Sequence, residues 1–444
     1  MKYMATPQLR QTPWLSAPRA SEPWDVRELM CRGTTSVTAA RCVQALVTAL
    51  LLAVAPLAAL SAEQERLAVL LGDGGLLLHS PQGEALLSIN SKRALVPASL
   101  LKIPLSHVAL TTLGEDYRFE TRFYRNDGGD LLIRGLGDPF LVSEEVARIA
   151  DALAVQGLTE VRRLVVDDSA FEPEPDLPLE RGSSQPYGAR NSALAVNFNT
   201  VNLAWTADGR LVSGEPQTPL TPLARELGLR LTAGEPQRIN LGADPEAGLR
   251  QVQQLFAFFL EESGIPVLNT NYYRDKLDAT WSPYYRHLNT RTLRDTLEGL
   301  LRYSNNFIAN QLFMILATHQ GGYPATATTA RAHLQQRLAE LYGADYGSDP
   351  EVFLMLEGSG LDRAQRSSAD AMVHILESFR PHADLLPEVG GVLRKSGTLT
   401  GVYNYAGYIK GEDGLYPYVL LTNQMVNNRD EILRLLRQQV TARR

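Results

Sequence analysis

Three short clusters in the 444-residue chain carry groups able to break an amide bond. Ser99-Leu100-Leu101-Lys102 sets a hydroxyl and an amine three residues apart, which on a helix means one face, about one turn apart. A serine hydroxyl is a weak nucleophile at neutral pH. An amine kept uncharged by burial, or by a second cation nearby, can take its proton. Ser304-Asn305-Asn306 interrupts the apolar run LLRYSNNFIANQLF, where three successive polar residues are costly in a core unless they line a cleft. Lys395-Ser396-Gly397-Thr398 opens a strand, and Gly397 lets a substrate backbone come close. Alone, an SxxK pattern is the ordinary signature of a helix-start serine and a solvated lysine. The succession of all three clusters in one chain gives it weight.

The elements that must position them are legible in outline. Residues from Leu67 through LAVLLGDGGLLLHSPQGEALLSINS read as a hairpin of two strands. Leu101, Leu105, Val108 and Leu113 recur at helical spacing and Gly114 suits a helix stop, so a helix should start close to Ser99, with Pro104 near its beginning. Beyond residue 120 come strands with one crossover helix, EEVARIADALAVQG. The stretch Gly209 to Gly242 reads equally as a small subdomain or an elaborated loop. Helical periodicity dominates from Thr290 to His319. VLRKSGTLTGVYNYAGYIKG and LYPYVLLTNQMV read as adjacent strands joined at Gly411 to Gly414, and an amphipathic helix closes the chain.

Composition narrows the classes. With 44% apolar and 21% charged residues the chain reads as globular, and its length predicts at least two structural units. A net charge of −6, with no zinc-finger or P-loop pattern, speaks against nucleic acid. Seven scattered histidines offer no metal-ligand spacing, so neither a metal nor another cofactor is expected. Residues 43–60, VQALVTALLLAVAPLAAL, follow Arg32 and Arg41 and precede small residues, the order of a secretory signal; cleavage is expected near Ser61 or Ala62, and translation from Met30 would give an ordinary signal. Such cleavage removes Cys31 and Cys42, the chain's two thiols, and leaves no redox chemistry.

The order SxxK, SxN, K(S/T)G is the set used by penicillin-binding proteins and class A β-lactamases. Together with IRGLGDPFLVSEEV, VVDDSAF, ALAVNFNTVNL, EGSGLDR and KSGTLTGVYNYAGYI, it makes the chain resemble the D-alanyl-D-alanine carboxypeptidase/endopeptidase family, the class C low-molecular-mass penicillin-binding proteins. The resemblance spans nearly all of the chain after the signal. It implies an α+β fold: a transpeptidase-like domain, an antiparallel sheet flanked by helices, built from residues 63–120 and 284–444 and split by an inserted, mainly β domain at 121–283. Residues 1–62 form the extension and signal. The third domain of the family is expected to be reduced or absent, and Leu361 to Lys395 is short.

The resemblance further implies that Ser99 is the acylated nucleophile and Lys102 its base, that Ser304 relays a proton, and that Asn306 holds the substrate amide. Lys395, with Ser396, Gly397 and Thr398, would bind the substrate's terminal carboxylate, and the amides of Ser99 and Thr398 would form the oxyanion hole. Asp167 matches a position that recognises the amino group of a diamino acid; its neighbour Asp168 competes for that role, and either reads equally as a plain charge. Lys-Ser-Gly replaces the usual Lys-Thr-Gly and keeps the hydroxyl. The implied activity is that of a periplasmic serine D,D-peptidase acting on peptidoglycan stem peptides and acylated by β-lactam antibiotics.

Two alternatives share these motifs. A β-lactamase-like hydrolase needs a base for the deacylating water, and no ExxxN-like loop supplies one; a non-catalytic cell-wall-binding homologue need not have kept all five chemical positions. A Ser/His/Asp hydrolase lacks its GxSxG elbow. His107 reads as a packed helix residue and Glu357-Gly358-Ser359-Gly360 as a turn at the sheet edge. The basic terminal helix with Arg434, Arg437, Arg443 and Arg444 reads as a solvated face, able at most to make weak contact with an anionic membrane surface.

Overall fold

The computed structural model of the protein describes residues 63–442, apart from 174–176, 179–183, 232–233, 235, 243 and 245. The expected signal, the two cysteines, Met30, Arg443 and Arg444 lie outside the described residues. Among the described residues no helix is long and apolar enough to cross a membrane.

Alternation of apolar side chains builds the central sheet. Its six antiparallel strands run in the order Glu388–Val389, Val392–Leu399, Val402–Gly411, Gly414–Leu421, Gly75–His79 and Ala85–Ile89. Along Gly75–His79, Leu76 and Leu78 pack on one face with Tyr418, Leu420, Ile432 and Leu436, whereas Leu77 packs on the other with Leu105, Ala406, Val419 and Leu421. Successive strand side chains point to opposite faces, so a strand buried on both reads as an unbroken apolar run. The first face is covered by the C-terminal helix Arg429–Thr441, the second by Lys102–Leu113 and Ala369–Phe379.

The expected first strand is corrected: the chain is helical from residue 63 to residue 71, and the hairpin begins only at Gly75. Leu67 and Leu71, four residues apart, are fully buried against the sheet. The five consecutive apolar residues Leu67 to Leu71 fit either period, and docking beside the terminal helix selects the helical one.

The segment after the Ser99 helix forms a five-stranded sheet in the order Ser282–Thr292, Arg118–Arg125, Leu131–Gly135, Val161–Asp167, Val267–Asn269. Its two parallel contacts are bridged by the helices Ser143–Val155 and Ala247–Glu262, which pack with Ile133, Leu164, Val166 and Phe256 into a separate core. The strand Arg118–Arg125 follows the helix Lys102–Leu113, Ser282–Thr292 runs directly into the helix Leu293–Tyr303, and the Leu293 amide donates to Tyr117 O at 2.7 Å. Residues 200–240 contain a small body rather than a bare loop. Thr200–Trp205 pairs with Leu211–Ser213 and Gln237–Asn240, and the helix Pro222–Gly228 closes a core of Leu203, Leu223 and Ile239.

Candidate active site

The turn carrying Ser99 is wedged between two glycine-lined walls. Ala98–Leu101 forms a 3-10 turn leading into the helix Lys102–Leu113, with Pro104 in that helix's first turn, where its missing N–H costs nothing. Ala98 adopts a left-handed backbone, φ +52°. A Cβ on Gly360 would lie 2.2 Å from Ala98 O, and one on Gly397 would lie 2.5 Å from Pro97 O. Glycine at both positions lets two backbone segments press on the turn and fix the strained Ala98–Ser99 geometry.

Lys102 is 0% exposed and Lys395 1%. Lys102 Nζ lies 2.8 Å from Ser99 Oγ, and donates to Asn306 Oδ1 at 2.9 Å and to Ser359 O at 2.5 Å. The last two partners can only accept. An uncharged amine has two N–H groups and one lone pair; once both hydrogens are donated, the lone pair is left for the Ser99 hydroxyl. Burial pushes the Lys102 ammonium well below the ordinary lysine range, the Lys395 charge pushes it further, and Glu357 offsets part of this. An amine so placed, once uncharged, can take a proton from the alcohol.

The SxN cluster does not lie inside one helix, as the sequence periodicity predicts, but at a break between two. Leu293–Tyr303 ends at Ser304, left-handed at φ +54°, and the Asn305 side chain caps Asn306–Gly321 by accepting from the Ile308 amide at 3.1 Å. The break aims Ser304 and Asn306 at different lysines. Lys395 Nζ donates to Ser304 Oγ at 2.8 Å and to Ser396 O at 2.9 Å. Burial, then the charge of Arg429, brings Lys395 down to about 7.

Ser99, Ser304, Asn306 and Thr398 line a cleft of about 570 Å³ together with Tyr187, Leu361, Arg363 and Thr400. Along the strand Val392–Leu399, the Arg394 amide donates to Pro387 O on the outer edge. The two-residue period therefore turns the amides of Ser396 and Thr398 to that same edge, beyond the short strand Glu388–Val389. The inserted segment reaches the cleft as well. Asn306 Nδ2 donates to Tyr187 O at 3.3 Å, and Asn191 Nδ2 donates to Phe307 O and Gln311 Oε1, both at 2.9 Å.

The structure thus unites Ser99, Lys102, Ser304, Asn306, Lys395 and Thr398, with Gly397 beneath the Ser99 turn and Ser396 accepting from Lys395. It does not bring Asp167 to them. That carboxylate is fully buried at the end of Val161–Asp167, where its oxygens accept from the amides of Ser169 at 2.9 Å and Leu277 at 3.0 Å and face Arg134 at 3.6 Å. Asp168 is engaged by Arg274 through contacts of 2.9 and 3.1 Å.

Glu357–Gly360, which reads in sequence as an edge turn, is corrected to a support for the reactive pair. Buried Glu357 accepts from the Ser359 amide and hydroxyl, each at 2.6 Å, from the Gly360 amide at 2.8 Å and from Gln365 Nε2 at 2.7 Å. These bonds hold Ser359 O against Lys102. The clue available in sequence was a carboxylate followed by G-S-G, a turn rich in amides that an acid can gather. His107 is buried against Tyr342 and Phe379, as a packed helix residue should be.

Comparison with known proteins agrees with this geometry. The chain is 25% identical over 423 residues to a D-alanyl-D-alanine carboxypeptidase from Actinomadura sp. (strain R39), covering 79% of this chain and 77% of that one. To D-alanyl-D-alanine carboxypeptidase DacB from Haemophilus influenzae it is 21% identical over 416 residues, covering 75% and 81%. The crystal structure of penicillin binding protein 4 from Haemophilus influenzae superposes with a TM-score of 0.69 at 18% identity, covering 85% of this chain and 98% of that one; a structure of the same protein complexed with a β-lactam gives 0.64. Since the D-Ala-D-Ala carboxypeptidase 3 (S13) family model matches residues 63–226 and 251–386, the chain belongs to that family and is a serine-type D-Ala-D-Ala carboxypeptidase of the penicillin-binding class.

Proposed function

We propose that the protein is exported to the periplasm, where it hydrolyses D-Ala-D-Ala termini of peptidoglycan stem peptides, D-Ala-diamino acid crosslinks, or both, through an acyl-enzyme on Ser99. The reading rests on one observation above all: the buried Lys102 nitrogen lies 2.8 Å from Ser99 Oγ, with two acceptor-only oxygens, Asn306 Oδ1 and Ser359 O, in reach of the hydrogens that a neutral amine would carry.

In the first step Ser99 Oγ attacks the carbonyl of the penultimate D-alanine as its proton passes to Lys102. The amides of Ser99 and Thr398 receive the developing oxyanion; losing such a donor typically costs about 3 kcal/mol. Ser304, bonded to Lys395, delivers its proton to the departing nitrogen and takes back the one held by Lys102, the C–N bond breaks, and the Ser99 ester and a neutral Lys102 remain. Water then attacks that ester, giving its proton to the neutral Lys102, which passes it to Ser99 Oγ as the ester C–O bond breaks, releasing the acid and returning Ser99. A β-lactam enters by the same attack, but its leaving amine stays tethered, so it acylates Ser99. Residues 63–120 and 284–444 supply this machinery, and the insertion 121–283 shapes one wall of the cleft.

Digestion of purified muropeptides followed by mass spectrometry, with fluorescent penicillin labelling, tests the reading. Wild-type protein should release D-alanine or resolve crosslinked dimers and should bind one label, and Ser99→Ala should do neither. Folded wild-type protein that neither cleaves nor labels would make the chain a non-catalytic homologue. Rapid turnover of nitrocefin would make it a β-lactamase.

A further inference from the structure

The C-terminal helix places a guanidinium at the edge of the cleft that the reaction steps above leave unused. Arg429, its first residue, donates from Nη1 to Thr398 Oγ1 at 2.7 Å, and Thr398 lines the cleft with Ser99. The hydroxyl accepts from Arg429, so its own hydrogen is left to donate into the cleft. Arg429 lies 4.6 Å from the centroid of the Tyr405 ring. The adjacent acid, Asp430, is engaged elsewhere: Tyr405 Oη donates to it at 2.8 Å, and Arg394 lies 3.9 Å from it. Among the described residues no carboxylate stands within ion-pair distance of Arg429. The start of the helix is also fixed, because Gln424 Nε2 and Asn428 Nδ2 both donate to Leu70 O at 3.0 Å. A rigid, planar cation without an acid partner, joined to a cleft hydroxyl, is suited to bind a carboxylate through paired N–H donors.

We propose that Arg429, acting with Thr398, binds the free carboxylate of the residue that follows the scissile bond, so that the terminal helix completes the substrate site and enforces selection for an acid there. This rests on the peptidase reading above. The Arg429 charge also helps to lower Lys395, in keeping with a cation beside the cleft. The terminal helix is then part of the recognition surface as well as a cover for the sheet.

The test compares an acyl-D-Ala-D-Ala peptide with its C-terminal amide, on wild type, Arg429→Gln and Arg429→Lys. Arg429→Gln should lose about ten- to hundredfold in kcat/KM on the acid, mostly through KM, the worth of one charge-assisted hydrogen bond. On the amide it should change by no more than about twofold. Arg429→Lys keeps the charge without the fork and should recover part of the preference. Equal losses on acid and amide, or an unchanged preference in either variant, would overturn the proposal and give Arg429 a purely structural role. Should Arg429→Gln fail to fold, Arg429→Lys alone decides: its preference for the acid must fall severalfold. If wild type turns over neither peptide and takes no penicillin label, the peptidase reading fails and this inference with it; an active, labelled wild type whose preference survives both substitutions sinks the inference alone.

Discussion

The molecule contains two serine–lysine pairs with the same 2.8 Å separation and different surroundings. Around Lys102, the acceptors Asn306 Oδ1 and Ser359 O and the nearby Glu357 form a closed shell, and burial is the main force on the amine. Around Lys395, the shell is Ser304 and Ser396 O, with a second cation, Arg429, beyond it. Desolvation lowers both lysines, and in the proposed mechanism the first presents a lone pair to an alcohol and the second positive charge to the cleft. Distance alone does not distinguish a base from an anchor; the charges and burial around each nitrogen must be weighed as well.

The comparison breaks first on the lysines themselves. Lys102→Met should lower the rate of penicillin acylation by roughly 10³- to 10⁴-fold, and Lys395→Met by less, about 10²-fold. Stopped-flow acylation kinetics separate the two, and equal losses would deny the division of labour. The pH profile of kcat/KM sharpens it. Lys102 must be neutral, so activity should rise as pH climbs through its depressed pKa. Lys395 must be charged, so activity should fall as pH passes about 7. Since Arg429 depresses Lys395, Arg429→Gln should move the alkaline limb upward.

Next in size is Gly360→Ala. The new Cβ, at φ +85° and 2.2 Å from Ala98 O, must displace the Ser99 turn. A shift of that order should cost about 10² in acylation rate. Circular dichroism should show the fold retained, since the turn rather than the core is moved. Glu357→Gln should act most weakly on rate and more on stability. It replaces one acceptor oxygen of a buried carboxylate by a donor among N–H and O–H groups, a loss of about 1–3 kcal/mol readable in denaturant unfolding. Glu357 also raises Lys102, so the acid limb of the pH profile should shift to lower pH.

Much of the site was legible because its chemistry is local. Ser99 and Lys102 are one helical turn apart, and Lys395 to Thr398 lie in one strand, so spacing alone sets their relation. The alternation of Leu76, Leu77 and Leu78 between two cores likewise follows from strand geometry. Where the reading fell short, a choice between local conformations depended on distant packing. Residues 67–71 took the helical period because the sheet and terminal helix bury Leu67 and Leu71. The run around Ser304 broke into two helices because a left-handed residue is tolerated where Lys395 and Lys102 each claim a neighbouring side chain. Asp167 likewise took its partners, the amides of Ser169 and Leu277, from packing that its place in VVDDSAF does not specify.

By itself, then, the order of residues determined which atoms were available: a hydroxyl beside an amine, a second hydroxyl and amide in SxN, and a lysine ahead of a glycine on a strand. Tertiary structure decided what those atoms are. Only the fold sets Ser359 O and Asn306 Oδ1 beside the Lys102 nitrogen, removes water from both lysines, and brings Arg429 to Thr398. The physical reason is that protonation state and ligand preference follow from desolvation and from the geometry of neighbours remote in sequence, neither of which is encoded in spacing.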